Sequence, residues 1–197
     1  FNQDLSNWDT SSVRRMKETF MSNTTFNNGQ SSGVSNTLQW DTSSVIFMNS
    51  MFEGATAFNS NIGNWNVSSV TEFYRMFYGS SVFNQDLSNW NTSSATTLQG
   101  MFNNATIFNN GLSAGVSSTI MNWNTSNVET IESTFASAPA FNGNISGWDV
   151  SNVTAANNLF NGASRFNQPL GGWDVTSINN MNNICLLYTS DAADELS

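Results

Sequence analysis

The stretch IGNWNVSSVTEFYRMFYGSSVFN, from Ile62 to Asn84, is one unit of a pattern that recurs along the chain and governs how it can fold. Its tryptophan is one of seven, Trp8, Trp40, Trp65, Trp90, Trp123, Trp148 and Trp173, separated by 32, 25, 25, 33, 25 and 25 residues. A fixed 18 residues leads from each of the first six to a Phe-Asn pair: Phe26-Asn27, Phe58-Asn59, Phe83-Asn84, Phe108-Asn109, Phe141-Asn142 and Phe166-Asn167. The two longer spacings therefore hold insertions after Phe-Asn, at Gly29 to Gln39 and Gly111 to Asn122, both containing Gly-Val-Ser. They sit three units apart, so a three-unit period overlies the 25-residue one. A period of this length is the signature of a stacked-repeat architecture.

Counting from Trp as position 0, position +3 is always a hydroxyl: Ser11, Ser43, Ser68, Ser93, Ser126, Ser151 and Thr176. Hydroxyls favour helix N-caps, and apolar residues follow at +5, +8, +11 or +12, as in Val70, Phe73, Met76 and Phe77. This spacing predicts a short helical segment. Ahead of the cap, Leu87, Trp90 and Thr92, or Ile145, Trp148 and Val150, alternate as a strand would, with Trp and the +2 residue on one face. Each unit thus reads as strand, capped helical segment and Phe-Asn return loop, an α/β coil. One coil offers about six large apolar side chains, each contributing roughly 1.5–3 kcal/mol when buried, against about 1–2 kcal/mol of backbone entropy for each residue. A lone coil is unstable, so the coils are expected to stack as a parallel ladder with Trp and Phe against their counterparts above and below.

The columns L-x-x-W-[DN]-[TV]-[ST]-[SN]-V-x-x-M-x-x-M-F followed by A-x-x-F-N resemble the repeat of BspA-type leucine-rich-repeat surface proteins. Ile62 to Asn84 and Ile145 to Asn167 carry the resemblance best, and it extends from Phe1 to about Ile184. It implies a right-handed, leucine-rich-repeat-like solenoid of about seven coils and a role in adhesion or recognition at the cell surface or outside the cell. The chain departs from ordinary leucine-rich repeats by using Trp, Phe and Met where Leu is usual.

The repeat ends abruptly. Trp173, Ser177, Ile178, Met181 and Ile184 keep the pattern, but Cys185 stands where the +12 Phe belongs, and every column is lost through Ser197. The run CLLYTSDAADE reads codon for codon as a transposase sequencing adapter, so residues 1–184 are expected to be one repeat domain and 185–197 a non-native tail. Setting aside Asp191, Asp194 and Glu195, three of the 14 acids, moves the formal charge from -9 to -6. Starting at Phe1 without a signal peptide, the chain reads as a piece of a longer protein.

Composition narrows the function. Five Lys and Arg in 197 residues leave no basic surface for nucleic acid, and Arg14, Arg15 and Lys17 are too few for such a footprint. No His and a single Cys remove the commonest general base and the thiolate metal sites. No apolar run approaches the ~20 residues of a membrane span. Glu129 and Glu132 have helical spacing but no partner base, and read as a solvated face. No catalytic residue, cofactor or metal is assigned, and the expectation is a non-enzyme.

The candidate ligand face is the +1 column, Asp9, Asp41, Asn66, Asn91, Asn124, Asp149 and Asp174, which points away from Trp on the expected strand. It reads either as a solvated hydrogen-bonding ladder or as a surface for a protein or glycan partner. Calcium between Asp9 and Asp41, or between Asp149 and Asp174, is a subsidiary reading. The Phe-Asn asparagines read as a structural ladder in turns. Sequons at Asn23, Asn66, Asn91, Asn104, Asn124, Asn144 and Asn152 matter only in a secreted eukaryotic chain. The leading functional expectation is a surface scaffold for recognition and adhesion. A spacer or stalk without a ligand is the alternative, and binding to ice or mineral a weaker third.

Overall fold

The computed structural model describes residues 1–116 and 120–185. The tail from Leu186 onward lies outside the described residues. Coils 1 to 7 are named here in the order of their tryptophans, Trp8 to Trp173.

The α/β architecture expected from the periodicity does not form. Among the described residues there is no helix, and strand-like pairing is confined to isolated parallel bridges, so the fold class is mostly irregular. The expectation of a leucine-rich-repeat-like solenoid built from a strand and a helical segment per coil is thereby overturned. The physical cause is visible in the backbone. Position +10 has positive φ in every coil, at Glu18, Ser50, Arg75, Gly100, Ser133, Asn158 and Asn183, and +14 repeats this at Ser22, Gly54, Gly79, Asn104, Ser137 and Gly162. A left-handed residue every four positions is incompatible with a right-handed helix.

Those residues sit third in consecutive β-turns, where positive φ is required in one of the common turn types. In coil 3 the N–H groups of Met76, Tyr78 and Ser80 donate to the carbonyls of Phe73, Arg75 and Phe77, each three residues back. The alternate donors leave the coil: Phe73, Arg75, Phe77 and Gly79 N–H bond to Thr97, Gln99, Met101 and Asn103 carbonyls in coil 4. Half of the donors thus close turns and half tie neighbouring coils, where a helix would spend all of them internally. The segment expected to be a strand also turns. Trp90 N–H donates to Leu87 carbonyl at 3.1 Å and Trp148 N–H to Ile145 carbonyl at 3.0 Å. Six of the eight parallel bridges among the described residues fall instead at +7, running Arg15, Phe47, Glu72, Thr97, Thr130, Ala155, Asn180, and the other two, Thr37 with Asn61 and Ile120 with Asn144, join the ends of the insertions to the next coil.

The core is a set of aromatic columns. Within each of the first six coils the +12 and +18 phenylalanines stack face to face, as Phe52 on Phe58 at 3.8 Å and Phe135 on Phe141 at 3.7 Å. Between coils they stack at 5.5–6.1 Å, as Phe77 on Phe102 and Phe83 on Phe108. Each Trp from coil 2 onward donates its Nε1–H to a carbonyl of the preceding coil, as Trp40 to Leu5 at 2.9 Å and Trp123 to Leu87 at 2.9 Å. Burying the indole therefore leaves no orphan donor. The +2 residues of the first six coils are buried too, and where they are Thr the hydroxyl donates to the next coil, as Thr42 Oγ1 to Asn66 carbonyl at 2.9 Å.

A second ladder pins the insertions. The N–H of each Phe-Asn asparagine donates to Oδ1 of the one before: Asn59 to Asn27, Asn84 to Asn59, Asn109 to Asn84, Asn142 to Asn109 and Asn167 to Asn142, all at 2.8–2.9 Å. The Nδ2 groups of Asn27 and Asn109 reach into the two insertions, to Ser31 and Val34 carbonyls and to Ser113 and Val116 carbonyls. The same geometry three coils apart gives the longer period a structural identity.

Candidate functional site

All seven +1 residues, Asp9, Asp41, Asn66, Asn91, Asn124, Asp149 and Asp174, are exposed and recur at one position per coil. Each Oδ1 accepts the N–H of the residue two ahead, at 2.9–3.1 Å, from Ser11, Ser43, Ser68, Ser93, Ser126, Ser151 and Thr176. These are Asx-turns, and they initiate the β-turn from +2 to +5, closed in coil 2 by Val45 N–H on Thr42 carbonyl. The +3 hydroxyl therefore does not cap a helix. In coils 1, 3, 5, 6 and 7 it donates back to the +1 side chain, as Ser11 Oγ to Asp9 Oδ1 at 2.6 Å. The recurrence of Asp or Asn at +1 thus has a local cause.

These bonds set the electrostatics of the row. The Ser11, Ser43, Ser151 and Thr176 side chains, followed by the backbone N–H groups, hold the carboxyls of Asp9, Asp41, Asp149 and Asp174 below their ordinary value of 3.8. Repulsion from Asp9 on Asp41, and from Asp149 on Asp174, opposes this weakly. The two adjacent pairs named as calcium positions therefore feel each other, but no group of three or more acidic, His or Cys side chains that could hold a metal occurs among the described residues. Glu129 and Glu132 lie at +6 and +9 of coil 5, the first tied by its N–H to Thr96 carbonyl of coil 4 and the second in a turn, not on one face of a helix. Cys185 is exposed, with partial burial pushing its thiol up.

The structure brings forward a surface that the sequence pattern does not single out. Positions +7 and +9 flank the buried +8 residue and lie along the row of bridges. Their occupants change from coil to coil: Arg15 and Lys17 in coil 1, Phe47 and Asn49 in coil 2, Glu72 and Tyr74 in coil 3, Thr97 and Gln99 in coil 4. A depression of about 280 Å³ opens there, lined by Arg15, Lys17, Phe47, Asn49 and Glu72. On the same side, Arg75 is held by Glu53 at 3.2 Å and lies 4.0 Å from the centre of the Tyr78 ring. The signal that marks this row is variability between columns that are nearly constant, a pattern hidden when the +7 position is assigned to a helix.

No helix among the described residues is long and apolar enough to cross a membrane. No curated protein and no solved structure matches the chain. A family described as a Mycoplasma protein of unknown function, DUF285, matches residues 1–33, 29–119 and 113–190, changing from one matched segment to the next within or beside the two insertions. With nearly the whole sequence covered by these three matches, the chain belongs to the DUF285 family.

Proposed function

We propose that this DUF285 chain is a non-enzymatic scaffold of BspA type that acts at the cell surface or outside the cell, recognising a protein or glycan in adhesion. The observation that carries the reading is the contrast between columns. Trp, Phe and Phe-Asn positions repeat because they build the stack, whereas the +7 and +9 side chains, exposed in coil 1 and at Tyr74 and half-buried elsewhere in coils 2 to 6, differ in charge, ring content and size from coil to coil. A surface that varies on a scaffold that does not is what selective recognition by a repeat array uses. The +1 row offers a second, more uniform contact surface. The test is to immobilise the chain and measure capture of extracellular-matrix proteins and of neutral and acidic glycans. Asn66, Asn91 and Asn124 changed together to Ser keep a turn-forming oxygen while removing the carboxamides. Loss of capture in that variant assigns binding to the +1 row, and unchanged capture places it elsewhere.

One observation favours the spacer reading: every +1 side chain is already engaged in its own turn. A spacer captures nothing in the same assay.

A further inference from the structure

Charge on this molecule is sparse and unevenly placed. Of five basic residues, three stand in coil 1, and among the described residues neither Arg14 nor Arg15 is in an ion pair. Lys17 shares Glu18 at 3.3 Å, with both side chains about half exposed. The Arg15 guanidinium lies 5.7 Å from the centre of the Phe47 ring, which orients its planar fork beside the depression. Asn49 lines that depression, and its Oδ1 is shielded from solvent and has no hydrogen-bond partner. A buried acceptor left unpaired is costly, and an amide turned toward the depression would find a partner in a ligand hydroxyl.

Backbone capture of a peptide strand is disfavoured on this row. In coils 2 to 4 the donors at +8 and +10 and the carbonyls at +7 and +9 already bond between coils, as Met48 N–H to Glu72 carbonyl and Ser50 N–H to Tyr74 carbonyl. Strand addition needs a free edge, so recognition here falls to side chains: a guanidinium, ring faces at Phe47 and the exposed Tyr74, then the short polar Thr97 and Gln99. Rungs of a parallel ladder are about 4.8 Å apart, close to the advance of one pyranose ring along an extended oligosaccharide. Glu72 at +7 of coil 3, which lines the depression, and Glu132 at +9 of coil 5 repel an anion beyond the Arg15 end of the row, so only that end suits a carboxylate.

We propose that the +7/+9 row over coils 1 to 4 is a binding site for an oligosaccharide ending in a carboxylated sugar. The carboxylate is held by the Arg15 fork, the next ring lies over Phe47 with a hydroxyl to Asn49, and the neutral remainder runs past Tyr74 toward Gln99. This rests on the recognition reading above and specifies its ligand class and its face.

The experiment is titration calorimetry on the full chain with a trisaccharide ending in glucuronate and with the same trisaccharide after reduction of its carboxyl to an alcohol. Loss of a charge-assisted bidentate contact is expected to weaken the reduced probe about tenfold or more. Arg15→Gln is expected to produce the same loss for the acid probe and none for the reduced one, and Tyr74→Ala to weaken both. Both side chains are exposed, and an unchanged unfolding midpoint shows that each variant is folded. Equal affinity for the two probes, indifference to Arg15→Gln, binding of neither, or Arg15-dependent capture of an acidic peptide in place of the glycan overturns the proposal. Capture of a matrix protein or neutral glycan that ignores Arg15→Gln overturns this site alone, while capture of nothing overturns the recognition reading with it.

Discussion

Replacing Asn109 by Ala tests whether the asparagine ladder holds the stack. The side chain is fully buried, with Oδ1 accepting Asn142 N–H at 2.8 Å and Nδ2 donating to Ser113 carbonyl at 2.6 Å and Val116 carbonyl at 3.0 Å. Alanine leaves the Asn142 donor unpaired in a buried position, which costs about 1–3 kcal/mol, and removes two further bonds at about 0.5–1.5 kcal/mol each. The sum is about 4 kcal/mol, on the order of a thousandfold in the local opening equilibrium. Asn167 occupies the same column but is exposed, so Asn167→Ala is expected to cost less than about 0.5 kcal/mol. Urea unfolding of both variants, followed by tryptophan fluorescence, gives the two losses. Limited proteolysis adds a local readout, because the insertion from Gly111 to Asn122 is held by Nδ2 and becomes cleavable sooner in Asn109→Ala. Equal destabilisation by the two variants, or no gain in cleavage within that insertion, refutes the reasoning.

Trp90→Ala removes an indole 2% exposed and is expected to cost about 3–5 kcal/mol, whereas Trp8→Ala removes one 58% exposed and costs less than about 1 kcal/mol; equal drops in thermal midpoint contradict a stability summed over neighbouring coils. Ser133 is left-handed where coil 4 carries Gly100, so Ser133→Gly is expected to stabilise by about 1 kcal/mol and Gly100→Ala to destabilise by about 1–2 kcal/mol, read from denaturation midpoints. The carboxyls of Asp9, Asp41, Asp149 and Asp174 are lowered from 3.8 by bonds from the following Ser or Thr. Their stabilisation is therefore complete above the ordinary Asp value and lost as pH falls through the lowered folded values. Changing all four to Asn, the residue coils 3 to 5 already use, is expected to flatten the stability-against-pH curve below pH 3.8, and an unchanged acid limb argues against the turn bonds as its source.

The repeat, its register and its buried columns were legible because they depend on residue type: Trp, Phe and Met recur at positions buried in the middle of the stack, and the Phe-Asn asparagine recurs because its amide bridges two coils. The secondary structure was not, because apolar residues at +5, +8, +12 and +15 suit successive β-turns as well as a helix. The residues that distinguish the two are at +10 and +14. Glu18, Arg75 and Ser133 are not left-handed formers by type, and only Gly54, Gly79, Gly100 and Gly162 with Asn104, Asn158 and Asn183 carry the hint. Reading +3 as a helix cap likewise concealed the Asx-turns of the +1 row. The insertions could be located from spacing alone, but not their attachment through Asn27 and Asn109, since nothing in Gly-Val-Ser names the carbonyls that accept those amides.

The bonds that join coils run from each turn to its neighbour, one parcel per coil, so tension applied to the two ends loads them in series. Coils then give way one after another instead of sharing the load. A 25-residue coil, once released, adds up to about 85 Å of contour, and each of the two long coils more than 100 Å at the same advance per residue. A chain built this way yields in steps, lengthening under a sudden pull while its remaining coils hold, and rewinds when the force is relieved.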